Sequence, residues 1–166
     1  MMIALKRILV PHDFSDTSTA ATNYAVALAR SFGAQIAFLY VGDGSQAELE
    51  GQIPVAGDGA VAEAVRNRLL KTLAPVDLVI LSPEFYARAG TPATEIVRFA
   101  REREIDLIVM GTHGRGFVGH VVMGSVAEKV VRTAPCPVLT VRSHTPAAQG
   151  IKLLVVDAIE PARAAV

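Results

Sequence analysis

A chain of 166 residues that is 51% hydrophobic and has no tryptophan fits one compact domain with a core of ordinary size, and it excludes a disordered chain. Lys plus Arg balance Asp plus Glu at 16 each, which argues against a general nucleic-acid or membrane-surface binder. The single cysteine, Cys136, excludes an intrachain disulfide and points to reducing cytoplasm, and no apolar run nears the ~18 residues of a membrane span. The opening Met-Met-Ile-Ala-Leu-Lys-Arg puts its charges after the apolar residues, the wrong order for a secretory signal.

Along the chain, strands and helices alternate. Ile8 to Val10 is a short apolar strand stopped by Pro11, and Ser15 to Thr19 is rich in helix-capping residues. Ala21, Tyr24, Ala25, Leu28 and Phe32 then fall at helical spacing, with Gly33 as the stop. Gln35 to Val41 reads as strand two. The glycine-rich stretch 42–59 reads as a long loop. Val61, Ala64, Val65, Leu69 and Leu73 mark the second helix, and Val76 to Leu81 reads as strand three. Thr91-Pro92 opens a helix whose Ala93, Ile96, Val97 and Ala100 face inward. Ile105 to Met110 is strand four, a further helix starts at Ser125 and ends before Pro135, and Val138 to Val141 is strand five. Continuous apolar strands in repeated β-α order predict an α/β fold, a parallel sheet covered by helices on both faces. Ligands of such sheets sit beyond the carboxyl ends of the strands, where the winding reverses.

The stretch Gly111-Thr-His-Gly114, then nine residues, then Gly124-Ser125, joins the end of strand four to a helix start. Parallel α/β sheets hold phosphates at such junctions, because glycine lets backbone N–H groups approach an anion. Ser125-Val-Ala-Glu128 also has the form of a capping box, which stabilises a helix start without a ligand. Asp13 carries two readings as well, a loop acid capping the next helix or an acceptor for a ribose hydroxyl. Arg115 is the one fixed positive charge between Gly111 and Gly124, either a phosphate neighbour or a solvated side chain.

Rival chemistries lack their parts. Gly119 to Ser125 has the frame of a P-loop without its lysine, and Gly114-Arg-Gly116-Phe-Val-Gly119 matches a dinucleotide fingerprint with no helix starting inside it. His12, His113, His120 and His144 have no tight metal spacing, so no metal site is assigned. Cys136, between two prolines, reads as a small packing residue, and no nucleophilic triad is evident.

Three segments resemble the universal stress protein family: Ile8-Leu-Val-Pro-His-Asp13-Phe-Ser15, the Gly111-x2-Gly114-x9-Gly124-Ser125 signature, and Val130 to Arg142. The resemblance covers residues 4–142. It implies an open five-stranded parallel sheet in the order 3-2-1-4-5, like that of adenine nucleotide alpha hydrolases, with strands one and four adjacent at the switch point. It implies a homodimer, often built along the strand-five edge, and ATP as ligand with Mg²⁺ assisting. Carried over by position, Pro11, His12 and Asp13 flank the nucleoside, with Asp13 on the ribose. Val41 meets the adenine through its backbone, and Met110 and Gly111 line the base and ribose. Gly114, Gly124, Ser125 and Val126 surround the phosphates, with Arg115 near them. His120 departs from a position often basic in the family, and Phe14 from one often small.

Residues 1–142 thus read as one domain and 143–166 as a linker plus an extra strand or the start of a second repeat. Leu153-Leu-Val-Val-Asp157 follows the pattern of Leu9-Val-Pro-His-Asp13. The functional expectation is a cytoplasmic, nucleotide-responsive stress regulator or accessory protein, with no nucleic acid or membrane as partner. No general base or fixed cation is evident beside the phosphates, so catalysis is expected to reach at most slow ATP hydrolysis or autophosphorylation. The alternative is a dimeric interaction scaffold with a vestigial pocket.

Overall fold

β1 (Arg7–Pro11) lies at the centre of the sheet, and its three middle residues, Ile8, Leu9 and Val10, are fully buried. The computed structural model describes residues 5–42, 58–112, 123–142 and 152–154. Around β1 stand β2 (Gln35–Gly42), β3 (Glu84–Ala89), β4 (Leu107–Gly111) and β5 (Val138–Val141), all parallel and in the order β3-β2-β1-β4-β5. This is the order implied by the resemblance. β6 (Lys152–Leu154) adds antiparallel to the outer edge of β5.

Alternation along the strands divides the core into two layers. Ile8, Val10, Ile36, Phe38 and Tyr40 face α1 (Asp16–Phe32) and α2 (Asp58–Leu70), where Ala21, Ala25, Ala29, Val65 and Leu69 meet them. Leu9, Leu39, Ile108 and Met110 face α4 (Pro92–Glu102) and α5 (Ser125–Thr133), where Ile96, Phe99, Ala100, Ala127 and Val130 meet them. The small residues of α1 let that helix lie close on the sheet. Gly33 ends it in the left-handed conformation at φ 65°, and its N–H donates to the Ala29 carbonyl, which closes the last turn. Phe32, placed on the apolar stripe by its spacing, stands past the sheet and is 54% exposed. At the start of β1, the Lys6 and Arg7 N–H groups both donate to Asp106 Oδ2 at 2.8 Å, which pins β1 to the approach of β4.

One element differs from the sequence reading. Residues 76–81 are not strand three; they belong to a helix, α3 (Pro75–Leu81), and β3 follows it. Pro75 occupies the first helical position behind an extended Ala74, which starts the turn. The helix then turns its acid inward. Asp77 is buried and paired with Arg30 of α1, while Val76, Val79 and Ile80 face outward. The apolar run imitated a buried strand, and β3 escaped notice because it is an edge strand, Glu84-Phe-Tyr-Ala-Arg-Ala89, with none of its residues fully buried. Among the described residues no helix is long and apolar enough to cross a membrane. Of the expected loop 42–59, Gly42 instead ends β2 and Asp58 and Gly59 open α2, while 43–57, like the tail repeat from Val155 onward, lie outside the described residues.

The helical assignment of α3 is checked by charge insertion. Val79, 80% exposed, tolerates Val79→Asp within about 0.5 kcal/mol in urea unfolding. Val109→Asp, at a fully buried position of β4, abolishes folding under the same conditions. Equal, severe losses at both positions would restore the strand reading.

Candidate functional site

The carboxyl ends of β1 and β4 meet where the winding of the sheet reverses. After Pro11, the His12 N–H still donates to the Leu39 carbonyl at 2.9 Å, so the chain follows β2 one residue beyond the strand. Asp13 then turns. Its Oδ1 accepts from the Ser15 N–H at 3.1 Å and from Ser15 Oγ at 2.6 Å. Ser15 is the N-cap of α1 and accepts from the Ser18 N–H at 3.3 Å. The acid therefore does not cap the helix; it orients the residue that does.

Phe14, between them, has φ 65°, a left-handed conformation that a bulky side chain rarely adopts. The strain, about 1–3 kcal/mol, is offset by what the ring touches. His12 lies edge-on at 5.1 Å, Tyr40 at 5.7 Å, and the Arg68 guanidinium of α2 sits 4.1 Å over its centre.

His12 shares the face of Ile8 and Val10 and is only 3% exposed. The Phe14 N–H donates to its Nδ1 at 3.0 Å, an i to i+2 bond of the kind Asn and Asp make in turns. With Nδ1 an acceptor, the neutral ring carries its proton on Nε2. That N–H is buried and has no partner among the described residues. Burial lowers the His12 pKa to about 4; Arg68 pushes in the same direction, and Asp13 opposes them. The imidazole is neutral at physiological pH, so it brings no fixed charge to the site.

Gly111, the last residue of β4, has a packing reason to be glycine. A Cβ there would lie 2.6 Å from Thr17 Oγ1 and 2.8 Å from the Thr17 carbonyl carbon, so α1 rests directly on the end of β4. Thr17 Oγ1 is in turn 3.0 Å from Ser15 Oγ. Asp13, Ser15, Thr17 and Gly111 thus form an unbroken line of contacts between two distant parts of the chain.

The next residue joins a third segment. The Thr112 N–H donates to the Val141 carbonyl at 2.9 Å, and the Gly124 N–H donates to the Thr112 carbonyl at 2.6 Å. The start of α5 is therefore tied to the end of β4. Gly124 is the N-cap, with φ −69° and ψ 154°, and no side chain caps the helix. Ser125 is the first helical residue rather than the cap, so the capping box read from Ser125 and Glu128 does not form. Glu128 instead accepts from Arg132 at 2.7 Å. The tie between Gly124 and Thr112 sets the cap one residue earlier.

Of the remaining candidates, Met110 is buried in the α4–α5 layer, and Val41 and Val126 pack half-buried against that layer. Pro11 pairs with Leu39 and is buried. Asp13, Gly111, Gly124 and Ser125 are brought to one end of the sheet, whereas the His12 ring turns to the opposite layer. Gly114 and Arg115, like His113 and His120, lie outside the described residues. Sequence reasoning missed Thr17 and Thr112. Thr17 was visible only as one of several capping residues, and nothing local marks Thr112. Cys136 packs half-buried against the core, and burial, helped by Asp106, pushes its thiol up to about 11, which keeps it un-ionised.

Two measurements test this geometry. His12 titrates near 6.5 unfolded and near 4 folded, so the unfolded chain binds more protons between those values. Its contribution is complete above pH 6.5 and is lost as pH falls toward 4, up to about 3 kcal/mol. In His12→Asn the amide oxygen still accepts from Phe14, and the fall in urea midpoint between pH 6.5 and 4 becomes shallower than in the parent; an unchanged slope refutes the buried neutral ring. Gly111→Ala forces α1 off β4 and lowers stability by about 1–3 kcal/mol, a loss that Thr17→Gly in the same chain partly restores.

Comparison with known proteins gives a consistent picture. The family model described as "Universal stress protein family" matches residues 4–142. Universal stress protein MJ0531 of Methanocaldococcus jannaschii is 36% identical over 144 residues, 82% of each chain. A universal stress protein of Thermus aquaticus is 34% identical over 142 residues, covering 82% of this chain and 98% of its own. Among solved structures, the universal stress protein UspA from Lactobacillus plantarum superposes with a TM-score of 0.66 at 32% identity, over 85% of this chain and all of its own. A universal stress protein solved in complex with cAMP, at 23% identity and a TM-score of 0.57, covers 85% of this chain and 99% of its own and shares the fold.

Proposed function

This chain belongs to the universal stress protein family, and on that premise we propose that it binds ATP at the carboxyl ends of β1 and β4 and acts as a nucleotide-responsive stress regulator or accessory protein. On this reading residues 1–142 are the binding domain, and 143–166 are a linker plus an extra strand or the start of a second repeat. One observation carries the reading: Asp13, Gly111, Thr112 and the start of α5 converge through the contacts from Asp13 to Gly111 and the bond from Gly124 to Thr112.

The donor set suits an adenine nucleotide. The carboxylate of Asp13 is an acceptor for ribose hydroxyls. The first N–H groups of α5, with no side chain capping them, are donors for phosphate oxygens, and the helix dipole favours negative charge there. Gly124 and Ser125 bring little side-chain bulk to that end, and the resemblance assigns Gly114 and Arg115 to the phosphate side. Val41, Met110 and Val126 offer apolar surface to a base. The fold itself holds adenine nucleotides elsewhere: universal stress proteins of this architecture are solved with cAMP and with dAMP. Among the described residues no three His, Cys, Asp or Glu side chains gather to hold a metal. Mg²⁺ would therefore arrive on the phosphates rather than in a protein cage. The working assembly is a homodimer, and a difference in ATP affinity between its states would shift their populations.

A specific observation favours the second reading, an interaction scaffold with a vestigial pocket. Gly111 is required by Thr17 and Asp13 is engaged by Ser15, so both residues have duties that need no ligand. Mass spectrometry of the purified protein and equilibrium dialysis with ATP, AMP and cAMP, with and without Mg²⁺, separate the two. Binding of ATP in the micromolar range, weakened about tenfold or more by Gly124→Val at matched folding, supports the site. A chain that copurifies with no nucleotide and binds none of the three at millimolar concentration is the scaffold.

A further inference from the structure

The two edges of the sheet are protected by different means. β3, at one edge, carries Glu84 and Arg88, and Arg88 is engaged by Glu95 and Glu102 of α4. Charged residues on an edge strand oppose pairing with a stray strand. β5, toward the other edge, is Val138-Leu-Thr-Val141; it carries no charge, and all four residues are buried. Among the described residues its outer row of backbone groups is met by three, with Val138 opposite Leu154, Leu139 opposite Leu153 and Thr140 opposite Lys152.

β6 alone runs against the other strands. A second β5, brought up across a two-fold axis, would also run antiparallel to the first, because an isologous contact sets the same patch against itself. β6 therefore holds both the place and the strand sense that a second copy would take.

We propose that β6 is an internal competitor for the β5 edge. Docked, it keeps β5 from the β5 of a second copy; released, it lets the two sheets join across a two-fold axis. The inference rests on the homodimer of the preceding reading and names what limits its formation. The pairing of three described residues contributes little by itself, and it brings together strands separated by ten positions of chain, at a cost in chain entropy. β6 is thus held weakly enough to be displaced by a strand that arrives with a whole subunit behind it.

Sedimentation over a concentration series, with the full chain, a chain ending at Arg142, and full-length Leu153→Pro, tests the idea. Proline cannot donate to a ladder and has no place in a paired strand. Both altered chains are expected to dimerise at concentrations at least tenfold lower than the full chain. A peptide of residues 151–157 added to the shortened chain is expected to reverse the gain. Circular dichroism melts confirm that each chain is folded, and the proline variant carries the test if the shortened chain is not. Equal dimer constants for all three chains overturn the competitor while leaving the homodimer. Chains that stay monomeric at every concentration overturn both. Nucleotide retention, read on the same samples, tells failure of the binding reading from failure of the competitor.

Discussion

Gly111 rests against the first turn of α1 with no room for a Cβ, and the spacing of the whole carboxyl edge follows from that contact. β1 and β4 are neighbours at the point where the sheet changes its winding, so the connections that leave them go to opposite faces. A crevice opens there in any fold of this type. What this chain adds is its width. Because Thr17 touches the end of β4, the loop from Asp13 to Ser15 is drawn over that strand rather than held away from it. Thr112 then takes α5 through the Gly124 N–H. Three segments far apart in sequence are fixed by one missing side chain and two backbone hydrogen bonds.

The charges of the crevice are ordered along its length. At the β1 side stands the Asp13 carboxylate, and the nearest titratable neighbour, His12, is held neutral by burial. At the other side stands the start of α5, whose N–H groups present partial positive charge. One end accepts hydrogen bonds and the other donates them, which is the order that a sugar followed by a phosphate requires. The left-handed Phe14 lies between these functions and not elsewhere in the loop. Its ring is clamped by His12, Tyr40 and Arg68, so α2 and the α1–α2 layer of the core hold the Asp13 turn in place. A conformation that costs free energy locally is sustained by packing within the α1–α2 layer of the core.

Most of the architecture was legible in the sequence because its signals are local. Gly33 and Pro92 punctuate elements where they stand, whereas Pro11 lies within β1 and does not stop it, and the continuous apolar strands β1, β4 and β5 announce burial on both faces. The error at residues 76–81 has a physical cause. Periodicity reports which residues are apolar, not which way they face, and α3 buries its aspartate against Arg30 while exposing its valines. An edge strand such as β3, half-buried and charged, carries the weakest signal in a sheet. Gly111 and Gly124 of the glycine signature lie at the carboxyl end of β4, but the reason for Gly111 could not be read from its neighbours. Thr17, the residue that forbids a side chain there, is 94 positions away in the chain, and only the folded crossover brings them together. The capping box failed for a similar reason, since the bond between Gly124 and Thr112 moved the helix start by one residue.

The crevice and the β5 edge are not independent parts of the molecule. The Thr112 carbonyl receives Gly124 at the mouth of the crevice, and the Thr112 N–H donates to Val141, the last residue of β5. One residue therefore bonds to the helix start that would meet a phosphate and to the strand that carries β6. A ligand that tightens the start of α5 acts on Thr112, and Thr112 acts on the end of the strand whose outer edge is contested. Coupling of this kind is reciprocal: if occupancy of the crevice alters the hold of β6, displacement of β6 alters the affinity of the crevice by the same factor. Two hydrogen bonds form a short link, and both run from backbone to backbone, so no substitution of Thr112 other than by proline removes either.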